Sequence, residues 1–395
     1  MVEGPGVRAD GPHVAYRPGV ADGPGVAGTQ CATPAAMVGI ESAIAARAGA
    51  CDRGAATLAD DLALLRAAGL ATAPLPRPHG GSDWAHGGTA TTELFDVLRM
   101  LGRANLSVAR LYEGHVNAIK LAVLYGAPGQ LERLARMVRA GGWLGVWGAD
   151  GDPPVRLEGS SGALRLRGAK RFASGLGLID EAVVVVSGTQ GAQLVLAPCG
   201  EAQRADASSW RVGGMRATAS GVYDFDGVSA EPLGHPGDYM REPWFEGGVW
   251  RYCAAHLGGA EALRDAMTAL LVRLDRAHDP HQRVRLAEAA MACETARLWI
   301  AQAAHRVEGS VGAPCRDASG AAAYALLARE ATERACVTLM QTVDRALGTM
   351  AHGDGTVVER VRRDLGLFLR QANPDAKLAL AAAALVGRGG RADTL

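Results

Sequence analysis

The stretch GAKRFASGLGLIDEAVVVV, from Gly168 to Val186, stands out in a chain that is otherwise rich in alanine and helical in pattern. It places a basic pair, an aromatic residue and a Ser-Gly step just before four consecutive valines. A β-branched run bounded by glycine is typical of a buried strand. Short strand-like runs continue from Gly141 to about Gly234, and their intervals predict an antiparallel barrel or sandwich.

Helical patterns lie on both sides of this strand-rich segment. Residues 37–140 carry apolar side chains at helical spacing, and residues 237–395 carry four helical patterns joined by short loops, as in a helical bundle. Residues 1–36 are rich in Gly and Pro and repeat the strings GPGV and ADGP, which predicts a disordered tail. The predicted order is therefore tail, helical domain, β-domain over 141–236, and bundle.

Composition argues against several classes of protein. Lys+Arg and Asp+Glu both number 41 in 395 residues, so a general nucleic-acid or anionic-membrane surface is not expected. The apolar stretch LALAAAALVG, from Leu378, is too short to span a bilayer, and the N-terminus lacks the apolar region of a secretory signal. Seven dispersed cysteines without a CxxC pair fit a reducing compartment, so we expect a cytoplasmic protein.

Metal binding is not predicted either. His278 and His281 are close in sequence, but they flank Pro280 and no cluster of cysteines or carboxylates accompanies them. We therefore expect these two histidines to be loop residues.

Four motifs, taken in order, resemble the acyl-CoA dehydrogenase superfamily of flavoproteins. Gly168–Val186 is similar to its Gly-x-Lys-x-aromatic-x-Ser/Thr turn and the strand that follows, and Gly213–Gly234 resembles its barrel hairpin. LAEAAMACETARLWIAQAA resembles a long bundle helix, and Val357–Gly366 resembles the C-terminal ER-x-x-RD helix. The resemblance runs from about Leu58 to Asp375. It implies an α+β fold with an N-terminal helical domain, a central antiparallel β-barrel and a C-terminal four-helix bundle, assembled as a homodimer or homotetramer.

The resemblance also implies a flavin site at the opening stretch. In the family this turn lies against the isoalloxazine ring of the flavin. The matching residues of this chain are Phe172, Ala173 and Ser174, and the resemblance implies that they contact the ring. Trp147 stands where the family's first strand meets the flavin. A flavin has to be held flat and met by a few fixed donors that tune its electronics. The alternatives are an ordinary turn with a core phenylalanine, and a tryptophan in the core of the barrel.

The family motif that binds the dinucleotide part of FAD is altered in this chain. Its QxxGG motif corresponds to a stretch in which Gly348 is kept and Arg345 replaces the glutamine. Arg345 could bond a phosphate through charge-assisted hydrogen bonds, or it could pair with Glu333 or Asp344. FAD is the cofactor that the resemblance implies, with FMN or a diffusible reduced flavin as the alternative.

The reaction type has two interpretations. Dehydrogenases of this family use a glutamate base just after the ER-x-x-RD helix, and here no glutamate follows that helix. Glu246 is the nearest carboxylate, and we expect it to be a solvent-side loop charge. The helical stretch ARLYEGHVNAIKLAVLYG instead resembles flavin monooxygenases of the same fold, in which the matching His115 lines the reaction cavity with Ser174. A histidine pKa near working pH suits proton transfer, although a buried core histidine is the alternative.

Three functions therefore remain open. The first is a dehydrogenase that oxidises a CH–CH bond of an acyl thioester, passes hydride to FAD and needs an electron-transfer partner. The second is a two-component monooxygenase that uses O₂ and reduced flavin supplied by a flavin reductase. The third is a catalytically degenerate subunit that binds flavin or an acyl group. The monooxygenases often carry a second, C-terminal histidine, and this chain has Gln371 at or near that position.

Overall fold

The computed structural model describes residues 34–160, 162–309, 315, 317–371 and 373–395. The predicted tail therefore lies outside the described residues except for positions 34–36, which begin the first helix. In chain order the α-helices of the described residues are α1 (Pro34–Asp52), α2 (Ala59–Ala67), α3 (Ala90–Ala104), α4 (Leu106–Tyr125), α5 (Pro128–Arg139), α6 (Trp250–Arg273), α7 (Pro280–Glu308), α8 (Ala318–Leu347), α9 (Val357–Phe368) and α10 (Pro374–Val386).

The strands lie between α5 and α6, as the sequence predicts. They are β1 (Leu144–Trp147), β2 (Arg156–Glu158), β3 (Arg165–Arg167), β4 (Ala169–Ala173), β5 (Glu181–Val186), β6 (Gln193–Pro198), β7 (Ala205–Asp206), β8 (Gly221–Asp224) and β9 (Glu231–Leu233). The opening stretch of the sequence thus forms β4, a turn and β5. The valines of β5 are almost all buried because both faces of the strand are covered: Val184 and Val186 pack into one apolar cluster and Val183 into another.

The expected closed antiparallel barrel is wrong for the described residues. The strands form a four-stranded sheet in the order β1-β5-β6-β9, a three-stranded sheet in the order β4-β8-β7, and the ribbon β2-β3. Moreover, β1 pairs with β5 in parallel, with Leu144 opposite Glu181. Parallel pairing requires a crossover, which β2, β3 and β4 provide. Alternation along single strands cannot reveal this pairing, because it reports only which face of a strand is buried.

Helix α4 is the central element of the N-terminal half. Asn105 caps it by accepting a hydrogen bond from the Ser107 N–H over 3.0 Å. The helix packs against α3, against β1 and against α6, so it is buried on most of its surface. Side chains on different faces of α4 consequently lie in different surroundings. The face on which a residue lies determines whether it reaches the cavity or the core.

Helices α6, α7, α8 and α9 pack together as the predicted bundle, and α10 lies on α8. Helix α3 crosses α6 at close range through two glycines. A Cβ added to Gly258 would lie 2.0 Å from the Arg99 carbonyl oxygen, and one added to Gly102 would lie 2.2 Å from the Ala255 carbonyl oxygen. Beside the crossing, Arg99 makes a bidentate pair with buried Glu261 at 2.8 and 2.6 Å. These contacts fix the N-terminal helices on the bundle.

Two features are absent from the described residues. None of their helices has the length and apolar character needed to cross a membrane. They also contain no group of three or more His, Cys, Asp or Glu side chains placed to hold a metal ion.

Candidate functional site

A cavity of about 890 Å³ lies between the strand-rich segment and the bundle. Its wall is built from α4, β1, the turn after β4, the loop before β8, the segment before α6, and the ends of α9 and α10. The size falls within the range of about 300–1,000 Å³ that is usual for small-molecule and cofactor sites. Most wall side chains are apolar or aromatic, and the polar groups collect in two places.

The first polar place is the turn that the sequence singles out. Ser174 and Trp147 both line the cavity. The Trp147 indole Nε1–H donates to the Ser174 carbonyl oxygen over 3.1 Å, and Ser220 Oγ donates to Ser174 Oγ over 3.0 Å. The turn is thus held from two sides. Trp147 also packs against Tyr223, with ring centroids 5.4 Å apart.

Phe172 stands at the cavity wall and not in the core. Its side chain is 54% exposed, its backbone has a φ of +56°, and its ring meets Trp210 edge-on at 6.1 Å. A left-handed conformation at a bulky residue costs about 1–3 kcal/mol and tends to occur at functional sites. Ala173 is fully buried, pairs with Gly221 and does not line the cavity. The alternative of a core phenylalanine is therefore wrong. Ala173 contributes to the turn through its backbone pairing with Gly221 and not through a side chain in the cavity.

His115 lies in the core and not on the cavity wall. The Leu144 N–H donates to its Nδ1 over 3.1 Å, so the proton sits on Nε2, which donates to the Ala71 carbonyl oxygen over 2.8 Å. The ring packs 4.6 Å from Trp143, and complete burial lowers the pKa of His115 to about 4. Both nitrogens of a neutral ring are thus occupied by backbone groups. The structure does not bring His115 and Ser174 together, and the core-histidine alternative describes this geometry.

Arg345 and Gly348 also lie away from the cavity wall. They end α8, where Arg345 is exposed and Gly348 takes a φ of +58° as the chain leaves the helix. The carboxylates considered as partners of Arg345 pair with other arginines: Glu333 with Arg329 at 2.5 Å, and Asp344 with Arg362 at 2.7 Å. The structure therefore separates Arg345 and Gly348 from the turn at Ser174.

The second polar place, on the other face of α4, includes Arg110 and Glu113, which sequence reasoning did not single out. Arg110, Glu113 and Asn117 follow helical spacing and line the cavity. Arg110 Nη1 donates to Glu113 Oε2 over 2.6 Å, Asn117 Nδ2 donates to Glu113 Oε1, and Arg251 Nε of α6 donates to Asn117 Oδ1 over 2.5 Å. Polar residues at spacings of three and four on an otherwise apolar helix were the signal available in the sequence.

Behind this place lies a buried ion cluster that joins α4, α6 and α7. Lys120 Nζ donates to Glu308 Oε2 over 2.6 Å, and Arg251 Nη1 donates to Glu308 Oε1 over 2.9 Å. The Trp250 indole N–H adds a third bond to Glu308 over 3.0 Å. Burial alone would raise the pKa of Glu308, but Lys120 and Arg251 outweigh that effect and lower it. Glu308 is thus a fixed negative charge.

The carboxylates near the cavity are engaged. Glu113 is the one acidic residue on the cavity wall among the described residues, and both of its oxygens accept hydrogen bonds. Glu246 is half-buried and paired with Lys377, so the expected solvent-side loop charge is wrong. Gln371 and Asn373, where related monooxygenases often carry the C-terminal histidine, do line the cavity.

Comparison with known proteins agrees with this architecture. No protein-family profile matches the chain. The dibenzothiophene monooxygenase of Rhodococcus erythropolis is 30% identical over 197 residues, which cover 45% of this chain and 45% of the relative. That of Mycolicibacterium goodii is 29% identical over 192 residues, or 44% of each chain. The chain thus spans somewhat less than half the length of the curated relatives it matches.

Solved structures extend the likeness to nearly the whole chain. The dibenzothiophene monooxygenase TdsC of Paenibacillus sp. A11-2, solved with FMN and indole, aligns at a TM-score of 0.74 and 19% identity over 90% of this chain and 97% of its own. The chain therefore shares the fold of these flavin monooxygenase structures, as the resemblance implied. Methanesulfinate monooxygenase from Pseudomonas fluorescens aligns equally well, at 0.74 and 19% identity with the same coverage. The names of these relatives fit the monooxygenase interpretation better than the dehydrogenase interpretation.

Proposed function

We propose that this chain is a flavin-dependent monooxygenase that accepts reduced flavin from a flavin reductase and oxygenates a small organic substrate in the cavity. The observation that carries the proposal is the cavity wall formed by Trp147, Phe172 and Ser174. Solved structures of this fold contain FMN, so FMN is the first choice and FAD the second.

The residues present fit a flavin ring. Trp147, Phe172 and Trp210 offer aromatic surfaces for a flat ring, and Ser174 offers a fixed hydroxyl for a polar edge. Reduced flavin bound there would supply two of the four electrons needed to convert O₂ into water and a substrate-bound oxygen, and the substrate would supply the other two. One oxygen atom then enters the substrate and the other leaves as water with two protons.

The residues of the cavity wall position the reacting groups and exclude water from them. The bonds from Trp147 and Ser220 fix the position of Ser174 before a ligand arrives. The apolar and aromatic remainder of the wall excludes water, which protects reactive species from hydrolysis. His115 supports this wall from behind, because it joins α4 to the first residue of β1.

Acyl-CoA dehydrogenation has less support. It requires a free carboxylate to remove the α-proton of the thioester. Among the described residues of the cavity wall, only Glu113 is acidic, and Arg110 and Asn117 occupy both of its oxygens. Glu246 is bound to Lys377 and lies outside the wall. Neither glutamate is placed to act as the base.

A homodimer or homotetramer remains part of the proposal. Val284, Met291 and Leu298 recur every seven residues along α7, and their side chains are 58%, 68% and 54% exposed. Large exposed apolar side chains in a row favour burial against another subunit.

The test is incorporation of labelled oxygen. The purified chain is supplied with NADH, FMN, a flavin reductase and ¹⁸O₂, and dibenzothiophene and indole serve as probe substrates because relatives act on or bind them. We expect one ¹⁸O atom per product molecule by mass spectrometry, and no product without the reductase. Absence of product, together with anaerobic turnover of acyl-CoA by an artificial electron acceptor, would contradict the proposal and favour the dehydrogenase.

A further inference from the structure

The buried end of the cavity carries more positive than negative charge. Lys120 and Arg251 share the single carboxylate of Glu308, and their side chains are 5%, 6% and 4% exposed. The adjacent Glu113 does not offset this excess because it is paired with Arg110. Three cations and two carboxylates therefore leave one positive charge. An uncompensated buried charge is costly, so a site of this kind favours a ligand that supplies the missing negative charge.

One of these cations, Arg251, has a hydrogen-bond donor that faces the cavity and is not used within the cluster. Arg251 uses Nε on Asn117 and Nη1 on Glu308, while its Nη2 has no hydrogen-bond partner among the described residues. Arg251 is itself part of the cavity wall. Gly248 makes room for this nitrogen, since a Cβ at position 248 would lie 2.6 Å from Nη2. A buried, unpartnered guanidinium nitrogen on a cavity wall is a geometry suited to an oxyanion.

The titration of Lys120 agrees with this picture. Burial lowers the pKa of Lys120, and Arg251 adds to that effect against the opposing influence of Glu308. A second negative charge near Lys120 and Arg251 would stabilise the charged form of Lys120 and so counteract this lowering of its pKa.

We propose that the substrate is an organic oxyanion, such as a carboxylate or sulfinate, whose charged group binds Arg251 and Arg110 at the buried end of the cavity. This inference rests on the proposed function. The apolar body of such a substrate lies against Tyr239 and Phe245, which line the cavity and pack edge-on at 4.8 Å. Lys120 contributes the excess charge, because it shares Glu308 with Arg251 and leaves Arg251 only partly neutralised.

Benzoate is the probe, and benzamide is its neutral counterpart of similar shape. Binding of both to the purified chain is measured by calorimetry, with and without FMN. Lys120→Met removes the excess charge and leaves the Arg251–Glu308 pair intact. We expect benzoate affinity to fall about tenfold or more, as for loss of a charge-assisted interaction, and benzamide affinity to stay the same. Arg297→Met on α7, which also removes one positive charge but lies outside the cavity, is the matched control.

Gly248→Ala provides a second variant in case the Lys120→Met chain does not fold. It keeps every charge and crowds Arg251 Nη2, so it too is expected to weaken benzoate more than benzamide. Equal binding of benzoate and benzamide to the parent chain, or no response of benzoate to either variant, overturns the inference.

The phosphate of FMN is the other source of the same chemistry, and riboflavin separates the two. If Lys120→Met weakens FMN but not riboflavin, and benzoate competes with FMN, the cluster binds the flavin phosphate and the substrate assignment is overturned. If benzoate binding depends on Lys120 while no flavin binds, the anion site stands and the proposed monooxygenase function fails. The two failures are thus distinguishable.

Discussion

At the scale of single residues, helix α4 shows where motif reasoning succeeds and where it fails. Phe172 and Ser174 of the turn motif line the cavity, and their contact with a flavin stays a prediction. The resemblance placed His115 there as well, but the structure turns it into the core and presents Glu113 to the cavity instead. A helix buried on two faces offers two apolar environments, and residue spacing alone does not say which of them contains the cavity.

The same limit applies to the ion cluster. Lys120 and Glu308 are 188 residues apart in sequence, and Asn117 and Arg251 are 134 apart. Each charge taken alone looks like a surface residue, and only the packing of α4, α6 and α7 makes them neighbours. No local pattern predicts such a cluster.

His115→Gln tests the structural role of this histidine. The folded state holds the pKa of His115 at about 4, below its ordinary value of 6.5. The unfolded chain therefore binds a proton before the folded protein does, so stability is full above pH 6.5 and falls as the pH drops toward 4. For this residue the loss between pH 7.5 and pH 5 is about 2 kcal/mol.

Urea unfolding at those two pH values measures the loss. In His115→Gln, whose amide does not titrate, the difference in unfolding free energy between pH 7.5 and pH 5 is expected to shrink by about 2 kcal/mol. Part of the acid sensitivity will remain, because burial also lowers the pKa of His256, to about 3. His281→Gln at the protein surface is the control. An unchanged pH difference in His115→Gln would rule out the buried neutral histidine.

At the scale of elements, most helices and strands were predictable, but their partners were not. The periodicity of α6 to α9 and the valine run of β5 mark these elements in the sequence. The parallel pairing of β1 with β5 joins strands separated by β2, β3 and β4, and it opens the expected barrel into separate sheets. Sheet partners are set by non-local packing, which alternation along a single strand does not encode.

The crossing of α3 and α6 gives a direct test of packing. Gly258→Ala would place a Cβ 2.0 Å from the Arg99 carbonyl oxygen, so the helices must move apart. We expect a loss of about 3 kcal/mol in unfolding free energy, the upper end for overpacking. Gly366→Ala in α9 is the matched control, since nothing lies within 4 Å of its added Cβ and alanine favours a helix by about 1 kcal/mol. Equal effects of the two variants on the denaturation midpoint would contradict the close crossing.

At the scale of the whole molecule, the N-terminal helices, the strand-rich segment and the bundle all contribute to the cavity wall. The strand-rich segment supplies Trp147 and Ser174, α4 supplies Glu113, and the bundle supplies Arg251. The motif order was enough to predict the overall fold apart from its closed barrel, and the match to solved structures over 90% of the chain supports that fold. The reaction was not predictable to the same degree, because it depends on which few side chains reach the cavity.

The most direct test of the proposed function is the affinity of the chain for reduced and oxidised FMN, measured under anaerobic conditions. Reduced flavin carries one more negative charge at neutral pH, and both Arg171 beside the turn and the excess positive charge of the cavity favour it. We predict that reduced FMN binds about tenfold tighter or more, and that Ser174→Ala weakens its binding. Tight binding of oxidised FAD that acyl-CoA then bleaches, or no binding of either flavin, would contradict the monooxygenase.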